Sequence, residues 1–154
     1  MTKDAPQIPV IPPAIYLIPL VIGLIIEYFL PFRLLPNQKT ADVVGWPLII
    51  GSILLGVWAV MTMRRVGESE DFRKPTDKIV TTGPYAFTRN PMYVSLNMVY
   101  VGIAFMLNTA WLMLFWPFAF AFLYYKVILR EEDYLEKKLG KEYRRYKSKV
   151  RRFL

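Results

Sequence analysis

Two clusters of side chains able to do chemistry stand on either side of a long apolar stretch. The first is Tyr85, Arg89, Asn90, Pro91 and Tyr93, in the run Thr82-Gly83-Pro84-Tyr85-Ala86-Phe87-Thr88-Arg89-Asn90-Pro91-Met92-Tyr93. The second is the acidic pair Glu131 and Glu132. Asn90-Pro91 reads as a helix start, because Asn can cap free backbone N–H groups and proline suits the first helical position. Such a start carries unpaired donors and the positive end of the helix dipole, and Arg89 stands just before it. A carboxylate or phosphate would be well received there. The same residues also suit a plain cap and an interfacial anchor, and this segment by itself leaves both readings open.

The chain has no His and no Cys. That removes disulfides, thiolate nucleophiles and the usual zinc sites, so no metal is expected. Any acid or base work falls to Asp, Glu, Lys or Tyr. A G-x-G-x-x-G fingerprint is also missing, so a soluble dinucleotide-binding fold is not expected.

The clusters must be positioned by membrane helices. The chain has 154 residues, is 55% hydrophobic and carries a formal charge of +8, which suits one compact unit with several apolar runs. Four spans are predicted, Ala14 to Leu30, Gly45 to Met63, Pro91 to Leu107 and Trp111 to Leu129, each near the ~20 residues a helix needs to cross the hydrocarbon core. Pro6, Pro9, Pro12 and Pro13 predict an extended arm before the first span, and Pro31 to Val43 a loop after it. Glu27 sits close enough to Pro31 to reach the headgroups. Ser52, Gly56 and Ala59 place small residues on one helix face for close packing. Asn108-Thr109 joins the third and fourth spans, with Asn108 ending one helix and Thr109 capping the next. Pro117 is expected to kink the fourth span.

The remainder, Arg130 to Leu154, repeats Leu135, Leu139, Tyr143, Tyr146 and Val150 at helical spacing among basic residues, and reads as an amphipathic helix on the membrane. Lys and Arg are concentrated between Arg64 and Arg89 and from Lys126 onward, against Arg33 and Lys39 on the other side. The positive-inside rule then puts both termini, and both clusters, on the cytoplasmic face. The expected fold is an all-α integral membrane protein forming a single domain, 1–154, with four transmembrane helices and a cytoplasmic C-terminal amphipathic helix. Glu131 and Glu132 gain little beside an anionic membrane surface unless a cation lies opposite, either Arg89 or a cationic ligand.

Gly83-Pro84-Tyr85, then Arg89-Asn90-Pro91-Met92-Tyr93, then Glu131-Glu132 with Leu135, Gly140, Tyr143, Tyr146 and Val150 resemble the C-terminal signature of the isoprenylcysteine carboxyl methyltransferase and phospholipid methyltransferase superfamily. Two motifs separated by a helical hairpin make the likeness specific. The family pattern usually has His where this chain has Asn90, and Asn cannot take up a proton at neutral pH.

The resemblance implies a membrane-embedded enzyme that uses S-adenosylmethionine. Its cofactor would be held by Tyr85, Arg89, Asn90, Pro91, Tyr93, Glu131 and Glu132. Glu132 would be the base if one is needed, Arg89 would bind the anionic end, and Lys138 would orient an anionic acceptor. The implied partners are membrane lipids and a lipidic methyl acceptor, of isoprenylcysteine carboxylate or phospholipid amine type; close packing of the second and third helices through Ser52 and Gly56 would leave its entrance beside the fourth helix near Pro117. No nucleic acid is expected, and the sequence sets no oligomeric state. An NADPH-dependent reductase of the sterol reductase type shares the C-terminal pattern; a glutathione-using membrane enzyme and a non-catalytic scaffold are further alternatives.

Overall fold

The computed structural model describes residues 11–69 and 78–153. Helix α1 is Pro12–Phe29 and α2 is Gln38–Arg65. A 3₁₀ turn at Gly83–Ala86 leads to α3, Pro91–Met106. Helix α4, Ala110–Leu123, passes through a π turn at Tyr124–Ile128 into α5, Leu129–Lys149. The expected arm around Pro6 and Pro9, and the charged residues from Glu70 to Asp77, lie outside the described residues.

Helix α2 starts seven residues before its predicted position, so the predicted loop over Pro31 to Val43 is shorter. Asn37 supplies the reason. Its side-chain oxygen accepts from the Lys39 N–H at 2.9 Å, a cap that starts the helix early. Gln38 then fixes the first turn by donating to Asp42 at 2.7 Å and to the Met106 carbonyl at 3.0 Å.

Helix α3 is central. It packs along α2 on one side and against α4 on the other, and α1 packs against α4. The α2–α3 seam is made of small residues, as the Ser52, Gly56 and Ala59 spacing predicts. A Cβ on Gly45 would lie 3.0 Å from the Met106 backbone nitrogen, and one on Gly56 2.8 Å from Ser95 Oγ. The Ser95 hydroxyl crosses the seam to donate to the Ser52 carbonyl at 2.7 Å. Close backbone approach of this kind is how helices associate where surrounding lipid is as apolar as the side chains.

The other faces of α1 and α2 are apolar and exposed, including Ile18, Ile25, Phe29, Leu54 and Val57. Apolar surface on this scale marks contact with a membrane rather than water. Three helical stretches among the described residues are long and apolar enough to span one: Pro12–Phe29, Gln38–Arg65 and the first part of Ala110–Lys149. Helix α3 is apolar but has only 16 residues, about 24 Å at helical rise.

Three local expectations are corrected. Asn90 precedes α3 but makes no side-chain cap, and neither does Thr109 at α4. Thr109 instead donates to Glu27 at 2.6 Å, and Glu27 also accepts from the Phe32 N–H at 3.2 Å, so this carboxylate ties the α1–α2 loop to the α3–α4 junction. The segment after the fourth span is not a separate amphipathic helix running to residue 154. It continues from α4 through the π turn, breaks at Gly140 (φ 55°, ψ −118°), and ends at Lys149, after which Val150 is extended.

Candidate active site

The 3₁₀ turn is set by Gly83, whose φ of 59° suits glycine and whose added Cβ would lie 2.7 Å from Thr62 Oγ1 on α2. The turn therefore sits against α2, where Ala59, Val80 and Tyr85 form a small core with Met63, Val66 and Met92. Arg89 and Asn90 follow at the head of α3. On the other side, the π turn inserts an extra residue ahead of α5, which brings Glu132 to Arg89 and Glu131 to Tyr93. π turns of this sort often accompany functional sites.

The two sequence clusters meet. Arg89 Nη2 lies 3.2 Å from Glu132 Oε1, and both side chains are 7% exposed. The Tyr93 hydroxyl donates to Glu131 Oε2 at 2.6 Å. Tyr85, Arg89, Asn90, Glu131 and Glu132 share the lining of one cavity of about 80 Å³ with Met63, Lys78, Val80, Leu135, Tyr143 and Tyr146. Pro91 is buried as the first residue of α3 and is not in that lining. Lys138 is not brought to the site. It is exposed on α5, with its ammonium 5.8 Å from the centre of the Tyr134 ring, so its expected role in orienting an acceptor has no structural basis.

Sequence reasoning passed over the residue that engages Glu132 most fully. Beyond α5 the chain turns back along the Thr88–Asn90 segment. The Arg89 N–H donates to the Arg151 carbonyl at 2.9 Å, and Thr88 Oγ1 and Asn90 Nδ2 each donate to the Arg152 carbonyl at 3.0 Å. Asn90 therefore holds the C-terminal segment in place. The Arg152 side chain donates from Nε to Glu132 Oε1 at 2.9 Å and from Nη2 to Oε2 at 2.8 Å. It also bonds the Tyr124 hydroxyl, and the Phe153 ring packs at a tilt against those of Phe120 and Tyr124. Two-point pairing of this type is strong and directional. With both oxygens of Glu132 taken, its expected role as a base is not supported by the geometry. Nothing in periodicity sets Arg152 apart from the other basic residues of the tail.

Three buried donors in the cavity wall have no partner: Tyr85 OH, Arg89 Nε and Arg89 Nη1. Buried polar groups are nearly always satisfied, so three orphans gathered in one cavity call for a partner, whether water, an ion or a ligand. Burial, and then the charges of Glu131 and Tyr146, push the Tyr85 phenol up, so it is a neutral donor. Tyr143 is pushed up by burial and by Glu132, and Tyr146 to about 12 mainly by burial. Burial also raises the Glu131 carboxyl above its ordinary value, while the Tyr93 hydrogen bond pulls it back down. The cavity thus sets anion-seeking donors beside a carboxylate, the complement of a small zwitterion.

Two larger spaces are linked to it, one through shared lining residues and one through the Tyr93–Glu131 hydrogen bond. A cleft of about 370 Å³ shares Ile79 and Tyr146 with the cavity and is also lined by Thr81, Ala86, Glu142, Arg145, Lys149 and Val150. A mostly apolar groove of about 430 Å³ runs along Pro12, Pro13, Ser52, Ile53, Gly56, Val57, Val60, Met92, Tyr93, Leu96 and Val99. Tyr93 forms part of the groove wall, while its hydroxyl reaches Glu131 of the cavity. Pro117 is not among the residues that line this groove, which follows the α2–α3 seam and not the fourth helix.

No solved structure matches the chain. An uncharacterized protein of Haemophilus influenzae is 74% identical over 27 residues, which are 18% of this chain and 43% of that protein. The chain therefore spans less than half the length of this curated relative. The model of the phospholipid methyltransferase family matches residues 40–142, which contain the turn at Gly83, the head of α3, and Glu131 with Glu132. On that match, covering most of the chain, the protein belongs to the phospholipid methyltransferase family.

Proposed function

We propose that this protein is an integral membrane methyltransferase that uses S-adenosylmethionine and acts on a lipidic or lipid-linked acceptor, of phospholipid amine or isoprenylcysteine carboxylate type. The reading includes four membrane crossings, α3 being the shortest, with both termini cytoplasmic. The observation that carries it is the set of unpartnered buried donors, Tyr85 OH and Arg89 Nε and Nη1, in a cavity that also holds Glu131. The amino-acid end of the cofactor has a carboxylate for those donors and an ammonium and sulfonium for the acidic side. The cavity of about 80 Å³ suits that end alone, since whole drug-sized ligands occupy ~300 Å³ or more. The adjoining cleft of about 370 Å³ is the space for the adenosyl part.

When bound, the cofactor supplies an electrophilic methyl group on a positively charged sulfur. The chain's own contribution is binding and orientation, the dominant source of catalysis in an in-line displacement. Arg89 and Tyr85 hold the carboxylate. Glu131, oriented by Tyr93, is the acidic group left to face the cationic end, because Glu132 is committed to two arginines. The groove along α2 and α3 gives an acceptor with an apolar chain a route to Tyr93 from the bilayer.

Calorimetry of the detergent-solubilised protein with S-adenosylhomocysteine and, separately, with NADPH tests the reading. Binding of S-adenosylhomocysteine alone is the expected result. Binding of NADPH alone would replace the methyltransferase reading with the reductase one.

A further inference from the structure

Arg152 lies beyond residue 142, where the family match ends, yet it makes the closest ion pair in the site. We infer that Arg152 is a positioning residue that keeps Arg89 open for its ligand by occupying Glu132; the inference rests on the cofactor reading above. Arg–carboxylate pairs are frequently two-point, with two guanidinium N–H groups on two carboxylate oxygens, a geometry the planar fork of Arg is built to match. Arg89 and Glu132 do not pair in this way. Their contact is single, Nη2 to Oε1 at 3.2 Å, and Arg89 Nε and Nη1 are buried without partners.

The reason is that Arg152 presents its own Nε and Nη2 to both Glu132 oxygens, at 2.9 and 2.8 Å. Arg89 is held by one oxygen and cannot close on the other. Arg152 is in turn held from three directions. Its carbonyl accepts from Thr88 and Asn90, its third guanidinium nitrogen bonds Tyr124, and its guanidinium carbon is 5.1 Å from the centre of the Tyr124 ring. Without Arg152 the carboxylate is free to turn fully to Arg89, and one of the two orphan donors joins Nη2 on Glu132 instead of serving a ligand carboxylate.

This predicts an effect that runs opposite to ordinary damage. Arg152→Gln is expected to weaken S-adenosylhomocysteine by about tenfold to a hundredfold, the scale of a lost hydrogen bond to a charged group. Binding of 5′-methylthioadenosine, which lacks the amino-acid end, should change far less. Adding Glu132→Gln to Arg152→Gln removes the carboxylate that captures Arg89, so the double variant should bind S-adenosylhomocysteine more tightly than Arg152→Gln alone.

The test is calorimetry of both ligands with wild type, Arg152→Gln and the double variant in detergent, after thermal unfolding has shown that each is folded. If Arg152→Gln does not fold, Arg152→Lys takes its place; it keeps the charge without the two-point fork and should show the same selectivity at smaller size. Equal weakening of both ligands, no weakening, or a double variant worse than the single would overturn the positioning role. A wild-type protein that binds neither ligand would instead overturn the cofactor reading, and the inference with it.

Discussion

Glu132→Gln is the sharpest perturbation of the site's stability. The wild-type carboxylate neutralises two guanidinium groups, Arg89 with a side chain 7% exposed and Arg152 with one 27% exposed. Glutamine keeps the shape but removes the charge, leaving two cations facing each other across a neutral amide. Breaking a buried pair by removing one partner costs about 3 to 5 kcal/mol. Arg152 retains some water, which places the expected loss near the lower end, about 3 kcal/mol. A protein with ordinary stability survives that loss in folded form. Equilibrium unfolding in mixed micelles, followed by tryptophan fluorescence, measures it. Arg152→Gln alone is expected to cost less than Glu132→Gln, because it removes one cation and leaves Glu132 paired with Arg89. The double variant should lose less than the sum of the two single losses. A Glu132→Gln variant within ~0.5 kcal/mol of wild type, or losses that simply add, would refute the claim that this trio is buried and coupled.

Other measurements probe the rest of the structure. Gly45→Ala meets backbone at the α2–α3 seam and should cost about 1 to 3 kcal/mol, more than Gly56→Ala, whose nearest obstacle is the movable Ser95 hydroxyl; thermal unfolding of both orders them. Because burial raises Glu131, its ionisation opposes folding: stability is fullest below its ordinary value of 4.5 and is lost as pH rises through the raised one. Glu131→Gln should accordingly gain on wild type as pH climbs from below that range toward neutrality, and a flat difference in unfolding free energy across it would count against the shift. Cysteine at Asn37 should react with an impermeant thiol reagent only from the non-cytoplasmic side, and cysteine at Ser69 only from the cytoplasm; the reverse pattern would invert the topology. Lys138→Ala should leave S-adenosylhomocysteine affinity unchanged, since the side chain is exposed on α5 away from the cavity.

Much was legible in the chain because it depends on local chemistry. Apolar runs of membrane length marked α1, α2 and α4, and Asn90-Pro91 marked the head of α3 to the residue. Arg89 is one of the two cations the sequence offers opposite Glu131 and Glu132, and the fold pairs it with Glu132. Small residues at Ser52 and Gly56 announced a close seam, since only their size matters to a neighbouring backbone. Tertiary structure decided the rest. Asn37 starts α2 early, and Thr109 bonds Glu27 instead of capping α4, because in each case one hydrogen bond chooses among several available partners. Whether α4 stops or runs on into α5 rests on a single inserted residue at the π turn, which carries no compositional mark. Arg152 is the clearest case. It reaches Glu132 because the helix breaks at Gly140, ends at Lys149, and lets an extended segment run back to Thr88. One arginine among many in a basic tail has no periodic signal. Its importance comes from the fold, which brings it to a carboxylate and, by filling it, leaves Arg89 with buried donors to spare.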